Sequence, residues 1–147
     1  MDPMDDLVQF LRDRLAEDEQ TARAATWDEW DSAHWTSRPP QADYERYIVA
    51  DHLDDGVVLV TPENADADGV GQHIARHDPA RALREVDAKR QLIAEHDVYA
   101  RKLADRMDCQ SLDFPCKTLR LLALPYAAHP DYRDTWRPAP PAVTPPQ

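Results

Sequence analysis

The run from His73 to His96, HIARHDPARALREVDAKRQLIAEH, constrains this chain most, because it encodes a short helix, a stop and a long second helix. Asp78 can cap the second helix by accepting backbone N–H bonds, and Pro79 suits its first position, where a missing N–H costs nothing and the fixed φ is already helical. Beyond the cap, Ala82, Val86, Ile93, Ala100, Leu103 and Met107, with Leu83 beside them, recur at three and four residues or their sum and predict one buried stripe. Glu85 and Lys89 add an i,i+4 pair on the other side.

The same periodicity marks an N-terminal helix from Met4 to about Ala25, with Leu7, Leu11, Leu15 and Ala22 inward and Val8 and Phe10 widening the stripe. Asp66 to Arg76 predicts a short helix carrying Val70, His73, Ile74 and His77, after a turn at Thr61-Pro62-Glu63-Asn64. Thr118 to about Tyr126 predicts a last helix with Leu119, Leu121, Leu122 and Leu124, closed by Pro125 and Pro130. Between the first two helices the pattern changes. Arg46–Ala50 and Val57–Val60 are β-branched and aromatic runs around Asp54-Asp55-Gly56, which predicts a small antiparallel hairpin whose Asp-Gly step supplies a positive φ. Two strands are marginal alone, so the hairpin must lie on the helices or gain another strand, and the preceding tryptophan segment is the nearest cover. The expected fold is mainly α: about four helices, one of them long and amphipathic, in a single domain over 1–136 with the hairpin near 45–60. From Arg137 the sequence RPAPPAVTPPQ is too proline-rich to fold and reads as a disordered polyproline II tail over 137–147.

A length of 147 residues fits one core, and only 3 glycines argue against a phosphate-cradling loop enzyme or a Gly-rich barrel. The acidic opening MDPMDDLVQF does not resemble a secretory leader, and no apolar run is long enough to cross a bilayer, so the expected location is the cytoplasm, away from membranes. A formal charge of -11 repels phosphate backbones, which disfavours direct nucleic-acid binding, and attracts a protein partner of basic chemistry. Trp27, Trp30 and Trp35 crowd into nine residues among acids, and they either fold back onto the core or form an exposed aromatic patch that recruits such a partner.

Taken in order, MDDLVQFLRDRLAEDEQTAR, HIARHDPARALREVDAKR and PCKTLRLLALPYAAHPDYRDTWRP resemble an actinobacterial family, the domain of unknown function numbered 6221. The resemblance implies genes common in streptomycete-type genomes and in their mobile elements and phages, and it carries no activity with it. Three Lys against fourteen Arg and a single Asn agree with GC-rich coding. Members of the family often place additional cysteines shortly before the Pro-Cys-x-Thr-Leu-Arg block, whereas here only Cys109 stands ahead of Pro115-Cys116-Lys117-Thr118.

Three site readings follow from the residues. His73 and His77 share a helical face, and with Cys109 and Cys116 they would make a tetrahedral Cys2His2 site for structural zinc, although the cysteines are seven residues apart rather than at zinc-knuckle spacing. The His77-Asp78 dipeptide invites comparison with metal-dependent hydrolases, but Asp78 already has a sufficient task as a cap. No nucleophile elbow, dinucleotide fingerprint, phosphate loop or HExxH helix occurs, and no catalytic residue is assigned. The expected function is therefore that of a small acidic accessory protein acting by protein–protein interaction without catalysis, with the zinc-stabilised domain and the hydrolase as alternatives.

Overall fold

The computed structural model describes residues 3–104, 116–140 and 146, with side chains up to 97 and from 116. Among these residues four α-helices and one three-stranded antiparallel sheet form: α1 Pro3–Ala24, β1 Thr36–Arg38, β2 Tyr47–Ala50, β3 Gly56–Val60, α2 Ala67–Arg76, α3 Pro79–Ala104 and α4 Lys117–Ala123. Short 3₁₀ turns cover Asp31–Ala33, Leu124–Tyr126 and Asp134–Trp136. The chain is mainly α as expected, and it divides into two compact units, 16–87 and the described residues of 1–15 with 88–147.

In the second of these units the N-terminal stripe is buried as its periodicity requires: Met4, Leu7, Val8, Phe10, Leu11 and Leu15 all lie in the interior, with Ile93, Leu119, Ala123 and Trp136. An aromatic cluster surrounds Phe10, whose ring lies 5.0 Å from Trp136 and makes edge contacts with Tyr126, His129 and Tyr132. The guanidinium of Arg14 meets the His129 ring, and Arg133 reaches Asp6 at 2.8 Å. Packed structure therefore extends well past Pro130, and Pro138, one residue beyond the expected start of the tail, is itself buried. In α4 only the Leu119 and Ala123 face is buried, while Leu121 stands about half exposed and Leu124 also reaches solvent, so the C-terminal helix is less apolar in use than in composition.

In the other unit the sheet runs β1-β2-β3, with Thr36 opposite Ala50, Ile48 opposite Leu59, and a bulge between Val49 and Ala50. The hairpin has thus gained a third strand, and that strand begins directly after Trp35. The reversal differs from the expected one. Positive φ falls on Asp54 (64°), while no glycine adopts it. The cause is Asp51, a buried carboxylate whose Oδ1 accepts from Leu53 N at 3.0 Å and Asp55 N at 2.9 Å, so a side-chain turn, not the Asp-Gly step, sets the loop.

Helix α2 packs on this sheet, with Val49, Val60 and Ala75 as the small core and Trp35, Val70 and Ile74 around it. Its cap is Asp66, which accepts from Gly69 N at 2.9 Å and lies two residues past the expected turn at 61–64. Gly71 permits the close approach: a Cβ there would meet Ser37 Oγ at 2.5 Å. Asp78 does what the sequence required and more, since Oδ1 accepts from Arg81 N at 2.8 Å, capping α3, and Oδ2 accepts from Trp35 N at 3.2 Å, tying the entry of β1 to that cap. Along α3, Val86 and Ile93 are buried and Ala82 and Leu83 half-buried, while the side chains of Ala100, Leu103 and Met107 lie outside the described residues.

Candidate functional site

The turn that leaves α1 is built around Ser32, which is fully buried. Its Oγ accepts from the backbone N–H groups of Trp27 and Asp28, both at 3.0 Å, while Asp28 Oδ1 accepts from Trp30 N at 3.0 Å and Ser32 N at 2.9 Å. The polar groups of this tight turn are thereby satisfied locally. The Asp28 carboxyl is held below the usual carboxylate range, chiefly by the Ser32 backbone N–H, against a desolvation cost and with further help from the Trp30 N–H and the Ser32 hydroxyl.

What this locked turn presents is two indoles. Trp27 is 63% and Trp30 53% exposed, a departure from the usual burial of such large apolar rings. Trp30 stacks on His34 with ring centroids 4.1 Å apart and takes the His52 ring edge-on at 4.5 Å. His34 is in turn fixed by its Nδ1, which donates to the Trp30 carbonyl at 2.7 Å. Trp27 borders a cavity of about 360 Å3 that Ala33, Leu83, Asp28, Glu29 and Arg23 also line, and Arg23 is engaged by Glu19 at 3.0 Å. Trp35 behaves differently from its two neighbours: half-buried, it packs on the sheet core and donates its Nε1–H to the Ser32 carbonyl at 2.7 Å. Of the three predicted partner-binding residues, two are therefore exposed and one, Trp35, packs on the sheet core and bonds to the turn at Ser32.

The predicted metal ligands are distributed as follows. His73 and His77 are exposed neighbours, rings 4.5 Å apart, and His77 Nδ1 donates to the His73 carbonyl at 2.7 Å. Cys116 meets a different imidazole, with its Sγ 3.6 Å from His96 Nδ1, and Cys109 lies outside the described residues. Among the described residues no cluster of three or more His, Cys, Asp or Glu side chains could hold a metal ion. At the His77-Asp78 dipeptide both carboxylate oxygens of Asp78 already accept backbone N–H bonds.

The model of a family of unknown function, DUF6221, matches residues 4–138. The chain belongs to this family. The DUF6221 match takes in the tryptophan turn, both histidine positions and both cysteines, and it ends on Pro138, the last buried residue described. No curated protein and no solved structure matches the chain. No helix among the described residues is long and apolar enough to cross a membrane.

The sequence marked the tryptophans but not the device that holds them. Asp28 and Ser32, four residues apart in a short polar segment, are the kind of pair that forms side-chain turns, and that was the available signal. The contribution of His52 had none, because it arrives from the β2–β3 loop.

Proposed function

We propose that this chain is a cytoplasmic accessory protein that works without catalysis by docking a lysine- or arginine-rich segment of a partner protein on Trp27 and Trp30. The observation that carries the reading is the pair of exposed indoles on a turn locked by Asp28 and Ser32. Exposing two such rings forfeits apolar burial, and fixing them in advance lowers the entropy lost when a partner covers them. Charge complementarity selects the partner: the chain carries a net -11, and Asp28, Glu29 and Asp31 interleave the indoles. A partner cation can lie on an indole face, an interaction worth about 0.5–2 kcal/mol, while its aliphatic stem enters the cavity between Trp27, Ala33 and Leu83.

The test is a tryptophan fluorescence titration with an arginine- and lysine-rich peptide and with an acidic peptide of the same length. The basic peptide should bind and perturb the emission, with affinity falling as salt rises from about 50 to 500 mM, because the field around the turn is then screened. Equal response to the two peptides would rule the proposal out.

A further inference from the structure

A second cleft, on the same unit as the sheet, has the opposite electrostatic character. It measures about 460 Å3 and is lined by Trp35, Ser37, Arg76, Asp78, Arg81 and Arg84 among others. Three arginines therefore line one concavity of a protein whose net charge is -11. Two of them, Arg76 and Arg84, make no side-chain ion pair or hydrogen bond among the described residues. Arg81 is positioned, since its Nε donates to Glu85 at 2.8 Å and its Nη1 to the Arg76 carbonyl at 3.1 Å. The carboxylates nearby are already engaged. Asp78 accepts from Arg81 N and Trp35 N, and Glu85 accepts from Arg81.

Guanidiniums without an ion-pair partner are the side chains best suited to oxyanions, because the planar fork matches two oxygens at once.

We infer that this cleft is a binding site for the phosphate group of a small phosphomonoester, with Arg76 and Arg84 contacting the phosphate oxygens. The size is that of a small-molecule pocket, and the half-buried Trp35 supplies an apolar wall for the rest of the ligand. The site is separate from the Trp27–Trp30 platform in residues and in sign, so either can fail without the other.

Isothermal titration at low ionic strength with adenosine 5′-monophosphate, inorganic phosphate and adenosine distinguishes the sources of binding. The monophosphate should bind, inorganic phosphate should bind more weakly, and adenosine should not bind. Arg76→Gln and Arg84→Gln should each weaken the monophosphate at least tenfold. Arg46→Gln, an exposed charge removed elsewhere on the same unit, should leave it within about twofold. Thermal melts confirm folding of each variant, and both cleft arginines are exposed, so their replacement removes no core contact. Adenosine binding as tightly as the monophosphate, no binding of any phosphate, or equal losses in Arg46→Gln and Arg84→Gln would each overturn the inference.

Discussion

Ser32 concentrates the most structural work in the smallest side chain. Its hydroxyl serves two backbone donors from a fully buried position, so Ser32→Ala should cost about 1–3 kcal/mol by stranding the N–H groups of Trp27 and Asp28. Asp28 adds a pH signature. Because its carboxyl is depressed in the folded protein, its contribution is fully present above the ordinary carboxylate value and is lost as pH falls through the lower, folded value. Wild type should therefore exceed Asp28→Asn in stability at neutral pH, with the gap closing on the acid limb, as read by denaturant unfolding at a series of pH values; a gap independent of pH would remove the carboxylate from the account. Residue-level roles of this kind were the least legible in sequence. Asp78 could be read because Pro79 follows it and fixes a helix start, whereas Ser32 is one of several serines until the turn brings it against Trp27 N.

At the scale of elements, the cap at Asp78 couples a helix to a strand. Asp78→Ala should destabilise by about 1–2 kcal/mol through loss of the α3 cap alone, and it should also loosen β1, whose entry at Trp35 hangs from Oδ2. Hydrogen exchange should then accelerate at Thr36–Arg38 as well as at the start of α3; acceleration confined to α3 would mean that the bond to Trp35 N carries nothing. The strongly periodic elements were legible before the structure. Helix α1 could be read from Leu7, Leu11 and Leu15 because a stripe repeated over several turns averages out local noise, and β2 with β3 could be read from their β-branched runs. Strand β1 could not, since Thr-Ser-Arg is three residues without alternation and becomes a strand only by pairing with Ile48–Ala50. The reversal after β2 was read from its Asp-Gly step, while the buried Asp51 carboxylate in fact sets it, and no pattern in sequence announces which of several aspartates will be buried.

For the molecule as a whole, two features decide how it can act: how far its described packing reaches toward the C-terminus and what its surface offers. Among the described residues Trp136 and Pro138 are the last buried ones, so removing residues 139–147 should shift the melting midpoint by less than about 4 °C, whereas removing 135–147 should lower it far more by taking away the indole that packs on Phe10. The extreme acidity was legible from composition and the exposed tryptophans were legible as a possibility set against burial; only the fold chooses, sending Trp35 inward and leaving Trp27 and Trp30 outside. That choice is the central claim, and the direct measurement is the affinity of the double variant Trp27→Ala/Trp30→Ala for the basic peptide, paired with its melting temperature. The two rings are exposed, so the melting temperature should stay within a few degrees of wild type while binding falls at least tenfold; retained affinity with an unchanged melting temperature would contradict the account.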